Sequence, residues 1–349
     1  MKIALITDAW RPQINGVVTT LQQTCEQLRS FGHVVETFTP DQFSNWPCPS
    51  YSEIRLALGC GPKLRKRLRL YQPDAVHIAT EGPLGLAARK YCVDEGIPFT
   101  TSFHTRFAEY VNLRFHIPLS WGYAFLRWFH SKSERIMAAT PALIDELKQR
   151  GFNNPVLWSR GVEVGLFRPR EKGFLAGQRP IFLYAGRVAI EKNLEAFLGL
   201  DLPGTKYIVG DGPQRAELEV KYPDARFVGY KLGEDMASHM ADADVFVFPS
   251  LTDTFGLVLL EALSCGVPVA AFPVRGPIDV ILDENVGCLD NDLQQAALKA
   301  LELNPDACRN YALNYAWQNC VRQFEGHLAR ISHPSGPRPV TWWRRYYSS

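Results

Sequence analysis

The chain has 349 residues, of which 46% are hydrophobic and 21% are charged. That length exceeds one ordinary hydrophobic core and suits two domains of about 150 residues each. The composition excludes a disordered or fibrous protein. The 8 cysteines form no C-x-x-C pair and show no metal-ligand spacing. This pattern argues against a secreted disulfide scaffold and a structural zinc site, and it favours a reducing compartment.

The net charge of +2 conceals an asymmetry between the two halves of the chain. Residues 1–170 contain 21 Lys and Arg against 14 Asp and Glu, whereas the remaining residues contain 17 against 22. This difference indicates different partners for the two halves, with an anionic surface for the first. We expect a cytoplasmic protein, because the opening apolar run is too short for a signal peptide and no uncharged run reaches the ~18 residues of a membrane span.

Short apolar runs alternate with helical stretches along the chain. In chain order, the predicted strands are Ile3–Thr7, Val34–Phe38, Ala75–Ile78, Phe99–Ser102, Ile136–Ala139, Ile181–Tyr184, Tyr207–Val209, Arg226–Val228, Val245–Phe248 and Val267–Ala271. A helical stripe predicts the first helix from about Val17 to Ser30. Gly161–Pro180 has no periodicity and is the predicted linker. The alternation predicts two doubly wound α/β domains with parallel sheets, facing each other across a cleft.

The loop after the predicted strand Ile181–Tyr184 carries two cations, Arg187 and Lys192. Cations in a loop after a strand and at a helix N-terminus suit a diphosphate. Two surface cations on a solvated loop would give the same pattern.

A second pattern follows the predicted strand Val245–Phe248. The run 252–254, Thr-Asp-Thr, offers N-cap side chains for a helix over residues 255–264. The first N–H groups of this helix would favour an anion in the cleft. Glu261 lies about 10 Å along the helix from Thr254, so it can meet the other end of an extended ligand. The alternative is a plain cap with a buried glutamate, although glutamate is rarely buried without a partner.

Several motifs, taken together and in this order, carry a family resemblance. They are Pro12 with Asn15-Gly16-Val17, Phe103-His104-Thr105, Gly186-Arg187 with Glu191-Lys192, Gly210-Asp211-Gly212-Pro213, and Asp253-x-Phe255-Gly256 with Glu261-Ala262 and Gly266-x-Pro268-Val269. The chain resembles the retaining glycosyltransferases of family 4, which have the two-domain GT-B fold. Within the family it looks most like bacterial GDP-mannose-dependent alpha-mannosyltransferases and diacylglycerol glycosyltransferases that use UDP-sugars.

The resemblance implies a division of the chain into three parts. Residues 1–165 would form the acceptor-side, membrane-facing domain, and residues 166–318 the nucleotide-sugar donor domain. Residues 319–349 would form a helix and tail that return to the first domain.

The resemblance also implies roles for individual residues. Arg187 and Lys192 would neutralise the donor diphosphate, and Glu261 would bind the ribose hydroxyls. Asp253 stands where the family has the first Glu of its Glu–seven residues–Glu motif, and it would touch the donor sugar. Because its side chain is shorter, the identity of the donor stays open. Further donor contacts are implied at Asn15, Gly16, Gly186, Gly212, Val228, Tyr230, Phe255, Gly256, Leu257 and Val258.

His104 resembles the family's histidine at the donor sugar, although a lone histidine there is more often structural. Its implied role is a hydrogen bond to the sugar as positive charge develops at the anomeric carbon. No carboxylate is well placed in sequence as a covalent nucleophile. The family therefore implies a front-face route, in which the leaving phosphate accepts the proton of the acceptor.

We expect no cofactor and no metal. The Asp-x-Asp pairs Asp242/Asp244 and Asp290/Asp292 are weak evidence for a metal site, because such pairs arise by chance in a chain of this length. A chelator such as EDTA should have little effect on activity.

A lipid acceptor and an anionic membrane surface are predicted from basic and aromatic segments of the first half. Cations Lys63, Arg65, Lys66, Arg67 and Arg69 lie on a short helix with Leu64, Leu68 and Tyr71 on one face. Trp121 and Trp128 add interfacial aromatics, as does the tail 342–347, although packed helices would explain both. The sequence thus predicts a peripheral protein at the inner face of the plasma membrane.

Other functions stay open to different degrees. Nucleic acid is a competing partner for a basic face, but no nucleic-acid module is recognisable. A dehydrogenase would need G-x-G-x-x-G after the first strand, and a P-loop NTPase its G-x-x-x-x-G-K-[ST]; neither is present. A glycosyltransferase for polysaccharide, a GT-B sugar-nucleotide epimerase and a non-catalytic nucleotide-sugar sensor are the alternatives. The oligomeric state is left open.

Overall fold

The computed structural model describes residues 1–13, 16–48, 51–104, 108–109, 117–251 and 255–332. The strands are β1 Lys2–Ile6, β2 Val34–Phe38, β3 Trp46–Cys48, β4 Tyr51–Leu56, β5 Ala75–Ile78, β6 Thr100–Phe103, β7 Arg135–Ala138, β8 Pro155–Leu157, β9 Ile181–Ala185, β10 Thr205–Val209, β11 Arg226–Gly229, β12 Val245–Phe248, β13 Val269–Ala271 and β14 Gly287–Leu289. The helices are α1 Gly16–Ser30, α2 Gly61–Tyr71, α3 Pro83–Glu95, α4 Leu119–His130, α5 Pro141–Gln149, α6 Leu194–Leu198, α7 Arg215–Lys221, α8 Gly233–Asp242, α9 Leu257–Ser264, α10 Pro277–Val280, α11 Leu293–Ala300, α12 Pro305–Leu313 and α13 Trp317–His327. Single 3₁₀ turns lie at Pro40–Gln42 and Ile190–Lys192.

Two six-stranded parallel sheets form the framework, in the orders β2-β1-β5-β6-β7-β8 and β11-β10-β9-β12-β13-β14. The central strands β5, β6, β9 and β12 are buried along their whole length, because helices cover both faces of each sheet. This confirms the predicted fold class of two doubly wound α/β domains. The strands β3 and β4 form a separate antiparallel hairpin.

Side chains of each central strand point alternately to the two faces of the sheet, and each face has its own hydrophobic core. In β1, Ala4 and Ile6 pack into one core while Ile3 and Leu5 pack into the other. In β9, Phe182 enters one core of the second domain, and its neighbours on either side enter the other. Successive side chains of a strand point to opposite faces, so an unbroken apolar run is what a covered strand requires.

The strand orders reverse at one point in each sheet, between β1 and β5 and between β9 and β12. In doubly wound sheets a crevice opens at the carboxyl ends of the strands at such a switch point, and ligands bind there. The loops that leave β1, β9 and β12 are those that carry the predicted motifs.

The last described helix packs on the first domain rather than on the second, which precedes it in the chain. Phe324 of α13 lies against Trp158, with ring centroids 4.8 Å apart. Oε1 of Glu325 accepts a hydrogen bond from Nε2 of His33 at 3.0 Å. The chain thus crosses between the domains twice, and the two passes meet at a β-bridge between Val162 and Ala316. The predicted boundaries at residues 165 and 318 stay predictions.

Candidate active site

A cleft of about 1180 Å³ opens between the carboxyl ends of the two sheets. Its first-domain wall contains residues from α1 and from the ends of β6 and β8, and its second-domain wall contains the loops after β9, β10 and β12. The predicted site residues that line it are Gly16, His104, Gly186, Arg187, Lys192, Tyr230, Phe255, Gly256, Leu257, Val258 and Glu261. Positions distant in the sequence are thus brought to one concave site.

Two predicted donor contacts do not line this cleft. Val228 packs against the core of the second domain, because β11 turns its side chain inward. Gly212 instead holds the shape of a loop, since a Cβ there would collide with the carbonyl oxygen of Val188. The donor contacts of these two residues stay predictions, and Tyr230, which is 62% exposed, lies in the cleft wall. Asn15 and Asp253 lie outside the described residues.

Helix α9 begins later than predicted and has a different N-cap. It starts at Leu257, and its N-cap is Gly256 with φ 76°, not a residue of the run 252–254. Glycine adopts this left-handed conformation without the strain a Cβ would cause. None of the described side chains caps the helix, and the N–H groups of Leu257 and Val258 make no hydrogen bond to any of the described residues. They are therefore available to an anion in the cleft.

The two domains approach each other closely at the start of α1. A Cβ built on Gly16 would lie 3.8 Å from Cδ1 of Leu257, which is ordinary van der Waals contact. The first turn of α1 therefore faces the first turn of α9 across a gap of one methyl group.

The loop after β9 positions the two predicted cations. Nη1 of Arg187 lies 3.6 Å from Oε1 of Glu191, and both side chains are at least half exposed. The hydroxyl of Tyr184 donates to the carbonyl oxygen of Arg187 at 2.9 Å and fixes the turn. Gly210 from the neighbouring loop packs so closely that a Cβ would collide with the carbonyl oxygen of Gly186. These contacts fix the path of the loop, while the Arg187 side chain is exposed and that of Lys192 is partly buried.

Glu261 lies on α9 in the wall of the cleft and is partly buried. Burial raises the pKa of Glu261 to about 7. No hydrogen bond or ion pair to its carboxylate occurs in the part of the chain that the structure describes. A buried carboxylate without a partner is costly, and hydroxyl donors of a ligand would remove that cost.

His104 follows β6 and reaches the cleft from the first domain. Its Nδ1 lies 3.0 Å from Nη2 of Arg160, while its Nε2 is buried without a hydrogen-bond partner. Burial lowers the pKa of His104 well below its ordinary value, and the Arg160 charge lowers it further. The imidazole is therefore neutral at physiological pH.

Three cations of the cleft were not predicted from the sequence: Arg160, Lys231 and Arg275. Lys231 pairs with Asp235 at 3.1 Å, and Arg275 lies 3.7 Å from an oxygen of Asp279. Arg160 follows β8, a three-residue edge strand that the pattern did not reveal. Recognising that strand would have placed Arg160 at a carboxyl end, beside the predicted site.

Two family models and a relative settle which family this is. Residues 14–166 match the model described as Glycosyltransferase Family 4, and residues 179–304 match Glycosyl transferases group 1. A relative from Corynebacterium glutamicum is named GDP-mannose-dependent alpha-mannosyltransferase. It is 30% identical over an alignment 383 positions long, which covers 98% of this chain and 92% of the relative. The chain belongs to glycosyltransferase family 4. It is a glycosyltransferase that acts on nucleotide sugars.

Two further comparisons extend this family 4 assignment. A relative from Streptococcus pneumoniae, named Alpha-monoglucosyldiacylglycerol synthase, is 27% identical over 352 residues, covering 88% of this chain and 79% of the relative. The solved structure of sucrose-phosphate synthase from Thermosynechococcus elongatus superimposes with a TM-score of 0.71 at 21% identity, covering 93% of this chain and 97% of that chain. The GT-B fold expected of this glycosyltransferase is thereby confirmed.

The contact at Gly16 gives a test of the cleft in this glycosyltransferase. We expect Gly16→Ala to keep activity within about threefold, because its methyl group meets Leu257 at ordinary contact distance. Gly16→Leu should lower kcat/KM for the donor more than tenfold, because the larger side chain fills the gap. Steady-state kinetics and melting temperatures check both variants. Neither should lose stability, since alanine and leucine favour helices over glycine; equal activities in the two would contradict this placement.

The two Asp-x-Asp pairs of the glycosyltransferase serve the fold. Asp242 accepts hydrogen bonds from the N–H groups of Gly173 and Leu175, and Asp244 accepts one from Ile181. Asp292 caps α11, and Asp290 lies 3.6 Å from a lysine. No cluster of three or more potential metal ligands occurs among the described residues. Independence of metal stays a prediction.

The predicted basic helix is α2, but its apolar face is not free for a bilayer. Leu64 and Leu68 are fully buried in the first domain's core. Three of the five cations also pair with acids: Arg65 with Asp94, Arg67 with Glu36 and Arg69 with Glu95. Lys63 reaches the carbonyl oxygen of Gln42 and the ring of Phe43, and Lys66 is exposed. The prediction that α2 presents this apolar face to a bilayer is therefore wrong, because the face packs against the core of the first domain.

The two predicted tryptophans lie on α4 and are exposed. Trp121 is 71% exposed and Trp128 is 51% exposed, whereas Tyr123 and Phe129 of the same helix are buried. Spacing of seven residues puts the two tryptophans on one helical face. No described helix is long and apolar enough to span a membrane.

Proposed function

We propose that this protein is a retaining, metal-independent hexosyltransferase that moves a hexose from a nucleoside-diphosphate sugar to a membrane lipid such as diacylglycerol. The observation that carries the proposal is the arrangement of charge across one cleft. Arg187, Lys192 and the open N-terminus of α9 suit a diphosphate, and the unpartnered Glu261 suits ribose hydroxyls. His104 faces them from the other domain, where the sugar would lie.

GDP-mannose is the donor we favour. The relative that aligns over 98% of the chain carries GDP-mannose in its name, while the relative named for diacylglycerol is 27% identical. The second name supports a lipid acceptor more than a particular donor. A UDP-sugar is therefore the competing donor in any assay.

The absence of carboxylates from one wall supports a front-face route. None of the described residues that line the cleft from the first domain is an aspartate or glutamate. On the second-domain wall, Asp211 pairs with Arg215 at 3.1 Å and Asp279 with Arg275 at 3.7 Å. A covalent nucleophile must be an unengaged carboxylate beside the anomeric carbon. Glu261, the other described carboxylate of the cleft, is assigned to the ribose hydroxyls, so we take the leaving phosphate as the base for the acceptor hydroxyl.

A donor panel tests the proposal. Purified protein is incubated with GDP-mannose, UDP-glucose, UDP-galactose or UDP-glucuronate and diacylglycerol vesicles, with and without EDTA, and the product anomer is read by NMR. We expect an α-linked glycolipid with GDP-mannose and no effect of EDTA. A β-linked product or loss of activity with EDTA would contradict the mechanism. Transfer to a soluble glycan would favour the polysaccharide glycosyltransferase. Conversion of the donor without transfer would favour the epimerase, and donor binding without turnover would favour the non-catalytic sensor.

Donor binding should depend on pH through Glu261. The ionised carboxylate accepts hydroxyl hydrogen bonds on both oxygens, whereas the protonated form keeps one acceptor oxygen and binds more weakly; the pKa of Glu261 is raised to about 7. We therefore expect the donor KM to rise as the pH falls from 8 to 6. Glu261→Gln should raise KM at pH 8 at least tenfold and remove this pH dependence.

Thermal melting without ligand is the control for that variant. Since the folded state holds the proton of Glu261 more tightly than the unfolded chain, the contribution of Glu261 to wild-type stability should fall as the pH rises from about 4.5 through about 7. Asp8 and His77 also have shifted pKa values, so the measured quantity is the difference between the two proteins. Glu261→Gln should lack that fall and melt above the wild type at pH 8. The same difference in melting temperature between the two proteins at pH 5 and at pH 8 would reject the unpartnered carboxylate.

The acceptor-side domain is proposed to rest on the anionic inner face of the plasma membrane. Helix α3 lies between α2 and α4, because Arg65 of α2 pairs with Asp94 and Arg89 stacks 4.1 Å from the ring centre of Trp128. The exposed tryptophans and the remaining positive charge of α2 therefore share one side of the domain. Indole rings favour the interface between water and lipid.

Vesicle sedimentation tests this surface. We expect Trp121→Ala with Trp128→Ala to lower partitioning onto anionic vesicles at least tenfold, since each indole buries apolar area worth roughly 1.5–3 kcal/mol. Val220→Ala with Leu282→Ala is the matched control, because these side chains are 83% and 62% exposed on the second domain. Equal binding by the two double variants would reject α4 as the docking element.

A further inference from the structure

Arg160 is a buried cation that the known parts of the site do not explain. It is 7% exposed and lines the cleft from the first domain. Its Nη1 donates to the carbonyl oxygen of Trp158 at 3.1 Å, and its guanidinium lies 5.0 Å from the centre of that indole. No carboxylate pairs with it in the described chain. Burial without a counter-charge is costly, so the position needs a reason beyond packing.

The second hydrogen bond of Arg160 supplies that reason. Its Nη2 lies 3.0 Å from Nδ1 of His104. A guanidinium can only donate hydrogen bonds, so Nδ1 must accept and carry no proton. In a neutral imidazole the proton then resides on Nε2. That nitrogen is the buried atom of His104 that has no hydrogen-bond partner among the described residues.

The Trp158 ring completes the support of the imidazole. It meets the His104 ring edge to face, with centroids 5.6 Å apart at 68°. Trp158 is itself fully buried between β5 and α13, where it contacts His77 and Phe324. One rigid indole thus orients both Arg160 and His104.

We propose that Arg160 is a positioning residue, which holds His104 as the neutral Nε2–H tautomer so that one N–H donor, and no acceptor, faces the hexose of the donor. This deepens the proposed function and rests on it for the identity of the sugar. The groups that such a donor recognises are a hydroxyl or ring oxygen. Nδ1 carries no proton and is occupied by the N–H group of Arg160, while Nε2 already carries a proton. His104 therefore cannot accept a proton from the acceptor hydroxyl, and it has no second proton to donate.

Imidazole ¹⁵N NMR of the full-length protein, without any sugar nucleotide, tests the tautomer directly. His104→Gln identifies the signals by their loss. We expect an unprotonated Nδ1, a protonated Nε2 and no titration between pH 8 and 6. In Arg160→Met the two tautomers should mix, and the ring should titrate nearer its ordinary value. Arg160→Lys, which can still donate, should keep more of the wild-type pattern and covers the case that the methionine variant does not fold.

A second buried arginine of the same domain is the structural control. Arg89 donates to the carbonyl oxygens of Phe129 and Trp128 and lies outside the cleft lining. Arg89→Met should lower the melting temperature and leave the His104 signals unchanged, whereas Arg160→Met should lower kcat at least tenfold and change donor KM less than threefold.

The two hypotheses fail separately. A wild-type His104 protonated on Nδ1, ordinary titration of the ring, or an unchanged tautomer in Arg160→Met overturns the positioning role. The expected NMR pattern with no glycosyl transfer from any donor leaves that role standing and overturns the proposed function.

Discussion

Lys192→Ala should lower turnover more than 100-fold while the protein stays folded. A 100-fold loss corresponds to about 2.7 kcal/mol of transition-state stabilisation. The diphosphate gains negative charge as the bond to the sugar breaks, so a cation beside it stabilises the transition state more than the bound donor. We therefore expect kcat to fall further than donor KM rises. Stopped assays of nucleoside diphosphate release measure both.

Two further variants separate local charge from a general effect. Lys192→Arg keeps the charge and should retain at least a tenth of the activity. Lys221→Ala removes a lysine of the same domain that pairs with Glu195 at 2.9 Å, away from the cleft. It should match the wild type. A Lys192→Ala enzyme with near-wild-type kcat would show that the diphosphate does not lie at this loop.

The framework was predictable because buried parallel strands leave a strong pattern. All predicted strands have counterparts whose ends differ by at most two residues, as with Val34–Phe38 and Val245–Phe248, which match in full. The missed strands are the hairpin β3–β4 and the edge strands β8 and β14. The edge strands β8 and β14 have three residues each, whereas the edge strands β2 and β11, which were predicted, have five and four, so β8 and β14 are too short to show an apolar run.

The site was predictable where one residue type suffices for the chemistry, as with Arg187 and Glu261. It was not predictable where a role depends on three-dimensional packing. The pattern at α2 correctly predicted an amphipathic helix, and Leu64 packs into the core of its own domain. The same periodicity is expected of a helix that packs on a core and of one that lies on a membrane, so the sequence does not distinguish them. Arg160 acts through a histidine 56 positions away. Only the fold brings those two together.

His104→Ala should also lower turnover more than 100-fold, and the reason is a single hydrogen bond. His104 is neutral and its Nε2 has no hydrogen-bond partner among the described residues, so alanine removes a donor that the sugar can use. It also removes the acceptor of Arg160, so the melting temperature is measured beside the kinetics. The loss should appear in kcat, since the bond strengthens as charge develops on the sugar. Kinetics at pH 6 and pH 8 should show the same loss, because His104 does not titrate in that range.

Glutamine and asparagine at position 104 test which imidazole nitrogen donates to the sugar, because their amide groups reach the places of Nε2 and Nδ1 respectively. In His104→Gln the amide nitrogen can occupy the place of Nε2 and donate, so activity should recover at least tenfold over His104→Ala. In His104→Asn the shorter amide reaches only the place of Nδ1, beside Arg160, and should not rescue. Rescue by asparagine and not by glutamine would place the sugar on the other side of the ring, and with it would reverse the tautomer that the contact with Arg160 requires.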